Sequence, residues 1–175
     1  MSYFSMFPDI PYDAKGNGKE TFMKDIFRRV KVKSNAKNNI VEFDFYDVQD
    51  GETPEMIAFK YYGDSQLHWT ILVINDIIDY YTDWPMSVVK FESYMKEKYD
   101  NPDAIHHYEI SQTSGDTTEK IEVGLNTTDY PSADSVSNYQ HEQNLQDKKR
   151  RIRLIQPKFI NDFVDEFEAK IKEGG

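Results

Sequence analysis

The sequence contains no cysteine, which excludes disulfides and thiolate metal sites and suits assembly in a reducing compartment. It has no apolar run approaching the length of a membrane-spanning helix. Positive charge is short: 21 Lys and Arg stand against 31 Asp and Glu, for a formal net charge of −10. That balance argues against nucleic acid or an anionic membrane as partner, since both are bound by displacing counterions with positive charge. The opening "MSYFSMFPDIPYDAKG" has neither a basic n-region nor a continuous apolar segment, so no signal peptide is expected. Also missing are G-x-S-x-G, a Walker loop, a dinucleotide fingerprint and a Cys nucleophile. With no catalytic constellation, the reading is that of a protein that is not an enzyme and has no cofactor.

Aromatic residues are plentiful, 14% of the chain, and many lie in the first thirty positions. Residues 1–20 combine Tyr3, Phe4, Phe7, Ile10 and Tyr12 with Pro8, Pro11, Gly16 and Gly18. They read as an extended arm that lies on its own domain or on a partner. "TFMKDIFRRV" (21–30) carries Phe22, Ile26 and Val30 at helical spacing, which predicts a short helix. "IVEFDFYDV" (40–48) alternates, with Val41, Phe43 and Phe45 on one face of a half-buried strand.

The most patterned stretch is "GETPEMIAFKYYGDSQLHWTILVINDI" (51–77). Thr53 before Pro54 signals a helix start, and Gly63 a left-handed stop. Asp64 or Ser65 caps a second helix with Leu67, Ile71 and Ile74 as its inward stripe. Trp69, Leu72 and Val73 are apolar off that stripe, so the helix is buried on two sides. "DYYTDWP" (79–85) reads as an aromatic loop, residues 87–102 as a helix capped by Ser87, and 104–124 as two strands around a Ser-Gly-Asp turn. A loop follows, then a polar helix over 135–149, a strand in "RRIRLIQP" (150–157) and an amphipathic helix over 158–171. That last helix carries Phe159, Ile160, Phe163, Val164, Phe167 and Ile171 on one stripe.

A strand followed by G-E-T-P-x-x-I-A-x-x-Y-x-G and a second helix ending in Asn-Asp resembles a LysM module. That fold is strand–helix–helix–strand, and no strand follows Asn75 closely. "RIRLIQP" is similar to the missing closing strand. The expected fold is therefore α+β: a split LysM-like core, an inserted helix/hairpin region, an extended N-terminal arm and a C-terminal amphipathic helix. Its divisions are 1–39 (arm and short helix), 40–77 (first part of the core), 78–149 (insertion) and 150–175 (closing strand and helix). Loop-closure cost grows slowly with length, so such an insertion is permissible.

The whole layout resembles the LysM-containing baseplate wedge subunit family of T4-like contractile-tailed bacteriophages. The 51–77 motif with its Tyr/Trp loop and "KKRRIRLIQPKFINDF" carry most of the likeness, and the insert around 100–135 does not match visibly. The resemblance implies a structural protein of the virion tail baseplate, assembled in the host cytoplasm. It implies a subunit that clamps larger wedge subunits and helps neighbouring wedges join around the hub. Its partners are then other baseplate wedge proteins, with the central hub as a further candidate. The alternative is a peptidoglycan- or chitin-binding LysM module, in which Tyr80, Tyr81 and Trp84 stack on sugar rings. A single module with its second helix apolar all round favours the protein partner.

Candidate partner-binding residues are Phe4, Phe7, Tyr12, Ile26, Phe27, Trp69, Tyr80, Tyr81, Trp84, Phe159, Phe163 and Phe167. No metal site is expected. Of the four histidines, His68 has no second ligand at i+4, and His106 and His107 are neighbours that face opposite sides of a strand. His141 lies on the polar helix. Asp44, Asp47 and Asp50 do not have calcium-loop spacing. Glu52 with Glu55, and Asp165 with Glu166, are carboxylate pairs without evidence of a shared cleft. "KKRRIR" (148–153) lacks the interleaved aromatics of a nucleic-acid patch.

Overall fold

The first surprise lies in the N-terminal segment, which folds back on itself as a hairpin. A computed structural model describes residues 3–28, 30, 43–112, 119–125 and 128–173. In chain order its strands are β1 (Asp9–Tyr12), β2 (Thr21–Lys24), β3 (Phe43–Asp47), β4 (Ile105–Ser111), β5 (Lys120–Gly124), β6 (Asp134–Ser137) and β7 (Arg151–Ile155). Its helices are α1 (Pro54–Tyr62), α2 (His68–Ile74), α3 (Tyr80–Asp83), α4 (Val88–Lys98), α5 (Asn138–Arg150) and α6 (Ile160–Glu173). The chain is thus α+β, and it forms two compact units: Met1–Trp84 with Arg151–Gly175, and Pro85–Arg150. Val41 and the Ser-Gly-Asp turn lie outside the described residues.

β1 pairs antiparallel with β2, Asp9 opposite Lys24 and Tyr12 opposite Thr21. This corrects both the extended arm and the helix expected over 21–30. The cause is turn chemistry. The Asp13 carboxylate accepts hydrogen bonds from the backbone N–H groups of Lys15 (3.2 Å), Asn17 (3.2 Å) and Gly18 (2.6 Å). Gly16 and Gly18 take positive φ, at 62° and 75°. An acidic side chain binding its own following backbone reverses the chain, and the pairing overrides a weak helical spacing. Those bonds, Gly18's foremost, hold the Asp13 carboxyl below the usual aspartate range. A two-stranded ribbon is all edge, so Pro11 is tolerated within it.

In the same unit β3 pairs antiparallel with β7, Phe43 opposite Ile155 and Asp47 opposite Arg151. The helix pair packs on this ribbon. Thr53 Oγ1 accepts from the Met56 N–H, Pro54 takes the first helical position, and Gly63 closes α1 at φ 77°. A 3-10 turn, Ser65–Leu67, capped by Asp64, leads into α2. Each buried apolar residue of α2 joins a different cluster. Ile71 packs with Val48, Ile57, Ala58, Trp84, Ile152 and Leu154. Trp69 packs with Met6, Phe7, Val164, Phe167 and Ile171, and Ile74 with Phe43, Ile155 and Ile160. The second cover on α2 is therefore the chain's own N-terminal turn and α6.

Asn75 ties α2 to the ribbon. Its Oδ1 accepts from the Arg153 N–H at 2.8 Å, and its Nδ2 donates to the Arg153 carbonyl at 2.9 Å. The side-chain amide thus does for β7 what a neighbouring strand would do.

One expected face is inverted. Phe45 is 54% exposed, with the Arg151 guanidinium 5.0 Å above its ring, while Tyr46 and Val48 pack into the helix cluster. Alternation holds, but α1 and α2 cover the Tyr46/Val48 face, while Phe43, on the Phe45 face, is buried with Ile74, Ile155 and Ile160.

In the second unit, β4 lies between β5 and β6, antiparallel to both. β6 replaces what reads as a loop running into a helix, and α5 begins at Asn138. "DSVS" has one β-branched residue, so its strand state comes from pairing with β4 rather than from local preference. α5 buries polar side chains: Glu142 accepts from Lys98 Nζ (2.7 Å) and Tyr99 Oη (2.8 Å), and Gln146 Oε1 accepts from the Met86 N–H (2.9 Å).

Candidate functional site

Among the described residues, the hairpin and the turn after it expose a run of large apolar side chains. Phe22 is 80% exposed and Phe27 87%, and Phe4, Tyr12, Met23 and Ile26 are also exposed. An isolated two-stranded hairpin is marginal at best in water. This one is exposed on nearly every position of both strands. Its root is nevertheless fixed. Lys24 Nζ donates to the Phe7 carbonyl (2.9 Å), and the Asp25 N–H to the Pro8 carbonyl (2.9 Å). Arg28 pairs with Asp25 (2.9 Å) and donates to the carbonyls of Ile171 (3.1 Å) and Lys172 (3.0 Å) in the last turn of α6. A cation on the free carbonyls of a helix C-terminus is favourable. The hairpin is anchored at its root, and exposed apolar side chains run along β2 (Phe22, Met23) and into the turn beside the anchors (Ile26, Phe27).

The remaining candidates divide by burial. Phe7, Trp69 and Phe167 are buried in the chain's own core, with the Trp69 and Phe167 rings 4.6 Å apart. Trp84 is buried and its Nε1 donates to the Glu52 carbonyl at 2.9 Å, because α3 replaces the expected loop and swings the indole inward. Phe159 and Phe163 are half-buried beside the same clusters. Tyr81, at 80% exposure, is open to solvent, and Tyr80 is 37% exposed with its ring stacked on Trp84 at 5.9 Å. Phe22 and Met23 escape a sequence reading because that reading makes their segment a helix. The Asp13–Gly18 turn is the signal that would have exposed them.

Glu52 is a hub of the helix-pair entry. Its carboxylate accepts from Tyr46 Oη (2.8 Å), the Gln49 N–H (2.9 Å) and Lys60 Nζ (3.3 Å). Burial works to raise its pKa, but the bonds from Gln49, Tyr46 and Lys60 outweigh it and leave the carboxyl below the usual glutamate range. A folded pKa below the unfolded one means stability present above about pH 4.3 and lost as pH falls through the folded value. Glu52→Gln is expected to cost about 1–2 kcal/mol at neutral pH and to flatten that acid limb. Chemical denaturation followed across acidic pH checks this; an acid limb of unchanged slope would refute it.

The histidines require a correction. His106 and His107 do not point apart: their Nδ1 atoms lie 2.8 Å from each other. The β4–β6 register slips between Ile105 and His107, leaving His106 as the extra residue of a bulge, and bulges re-aim side chains. His141 of α5 stacks on His106, ring centroids 3.8 Å apart and planes 9° apart. Burial, then the neighbouring His106, holds the His141 pKa below the usual histidine range.

The family model described as "Base plate wedge protein 53" matches residues 2–174. The chain belongs to that family. It is also 25% identical over 181 residues to the "Baseplate wedge protein gp53" of Enterobacteria phage T4, across 93% of this chain and 92% of that protein. Family membership makes this a structural protein of the phage tail baseplate, not an enzyme, and one that works among other baseplate components. Carboxylate pairs such as Glu52 and Glu55 are then part of the fold's own hydrogen bonding and surface. For a wedge protein, the surface of interest is one that another protein covers, and the anchored apolar hairpin has that character.

Proposed function

We propose that this wedge protein is a clamp that holds larger wedge subunits together and helps neighbouring wedges join around the central hub. The observation that carries the reading is the rooted hairpin with the turn after it: Phe22 and Met23 on β2, and Ile26 and Phe27 just beyond it, are turned to solvent. Rigid aromatic residues in an apolar patch are typical anchors of protein interfaces. We further propose that β3, α1, α2 and β7 form a split LysM-like core serving as scaffold, with the unit Pro85–Arg150 as its insertion. The strand–helix–helix–strand order and the antiparallel β3–β7 pairing support this.

The glycan alternative loses support from Trp84, whose ring is buried and whose N–H is engaged by Glu52. The test is co-purification of the full chain with baseplate wedge proteins, run beside retention on insoluble peptidoglycan. Stoichiometric recovery with a larger wedge protein and no saturable retention is expected. Saturable retention on peptidoglycan without a wedge partner would overturn the reading.

A further inference from the structure

We propose that His106, His107 and His141 form a binding site for a divalent transition-metal ion of the zinc class, which fastens α5 to the β4 sheet. The chain has four histidines, and three of them, from positions 35 residues apart in sequence at most, meet at this one place. One ring nitrogen from each lies within 4.8 Å of the other two. Tetrahedral Zn²⁺ with Zn–N of about 2.0–2.1 Å needs ligand nitrogens roughly 3.3–3.4 Å apart. The 2.8 Å between the Nδ1 atoms of His106 and His107 opens to that spacing by a ring movement, and His141, stacked on His106 at 3.8 Å, turns out of the stack so that its in-plane lone pair meets the ion. Three imidazoles without thiolate are a donor set suited to zinc, copper or nickel and not to calcium or magnesium.

The surroundings fit a ligand set. His107 Nε2 lies 3.0 Å from Glu109 Oε1, two residues along the same face of β4. A carboxylate accepting from one ring nitrogen leaves the other with a lone pair for a metal, which is the usual outer partner of a metal-bound histidine. His107 is itself buried, and His106 and His141 are half-buried, so the site is shielded but reachable. The unit also has a need for such a fastener. Among its described residues only Phe91, Met95 and Val136 are buried hydrophobics, and the side chains by which α5 meets the unit are largely polar: Glu142 and Gln146 are buried, and Tyr139 packs on Phe91 and donates to Glu92. Small units with little apolar core gain folding free energy from a bound metal. The proposal is independent of how the hairpin is used.

The test uses the tag-free full chain, stripped with chelator and titrated calorimetrically with Zn²⁺, with Co²⁺ as a spectroscopic stand-in. One ion per chain is expected, with the visible absorption of four-coordinate Co²⁺ and a higher unfolding temperature in Zn²⁺. His106→Ala and His141→Ala should each weaken Zn²⁺ binding by more than about 100-fold, and Glu109→Gln by about 10–100-fold. These positions are preferred to His107, whose burial makes its truncation a risk to folding. His68→Ala, in the other unit, should leave binding intact. Failure of the wild-type chain to bind Zn²⁺, or equal binding after His141→Ala, would overturn the proposal.

Discussion

Replacing Phe167 with alanine is expected to destabilise the unit built on β3, β7 and the helix pair by about 3–5 kcal/mol. Phe167 is 3% exposed and packs on Trp69, Phe163 and Tyr3, with ring centroids at 4.6, 6.5 and 5.8 Å. Truncation removes a full aromatic side chain and leaves a cavity that the neighbouring rings close only in part. Trp69→Phe at the centre of the same cluster should be milder, because the phenyl ring refills most of the indole's space. The indole Nε1 is buried and has no hydrogen-bond partner among the described residues, so its loss relieves a desolvated donor. Equilibrium denaturation of the two variants checks the contrast, and a Phe167→Ala protein as stable as wild type would show that the cluster does not hold α6. The consequence for function is direct. Replacing Phe159, Phe163 and Phe167 together with polar residues is expected to unfold this unit, so a resulting loss of assembly would report folding, not a lost partner contact.

How much of this was legible in the sequence depends on how local each signal is. Thr53, Pro54, Gly63 and Asp64 mark the helix pair because caps act on backbone groups within a turn of themselves. The stripe through Ile160, Val164, Phe167 and Ile171 is legible for the same reason, since one helix face carries it whole. The identity of what covers that stripe is not local: Met6 and Phe7 reach it from the other end of the chain. β6 owes its state to β4, and Phe45 its exposure to the side on which the helices pack, so neither could be read from its own residues. The histidine cluster was hidden by an argument that is sound for a regular strand. Adjacent residues do face opposite sides until a bulge inserts one residue between paired neighbours.

The largest effect on assembly is expected from the double variant Phe22→Ser with Phe27→Ser. Both side chains are over three-quarters exposed, so each change should alter folding stability by no more than about 0.5 kcal/mol. If the hairpin is the surface a wedge neighbour covers, the same two changes remove two aromatic anchors. Anchors of this type are worth about 2 kcal/mol or more each, which together weakens association on the order of 1,000-fold. Recovery of the variant with its wedge partner should then fall to background while its unfolding curve stays on that of wild type. Met56 and Phe59, on the outer side of α1, provide the control, since they are exposed apolar residues of the same unit at 56% and 65%. Met56→Ser with Phe59→Ser should leave recovery intact if the hairpin is what the partner grips. Equal loss from both double variants would mean that general apolar stickiness, and not a docked ribbon, accounts for the association. Full recovery of the hairpin variant would remove the ribbon from the interface altogether.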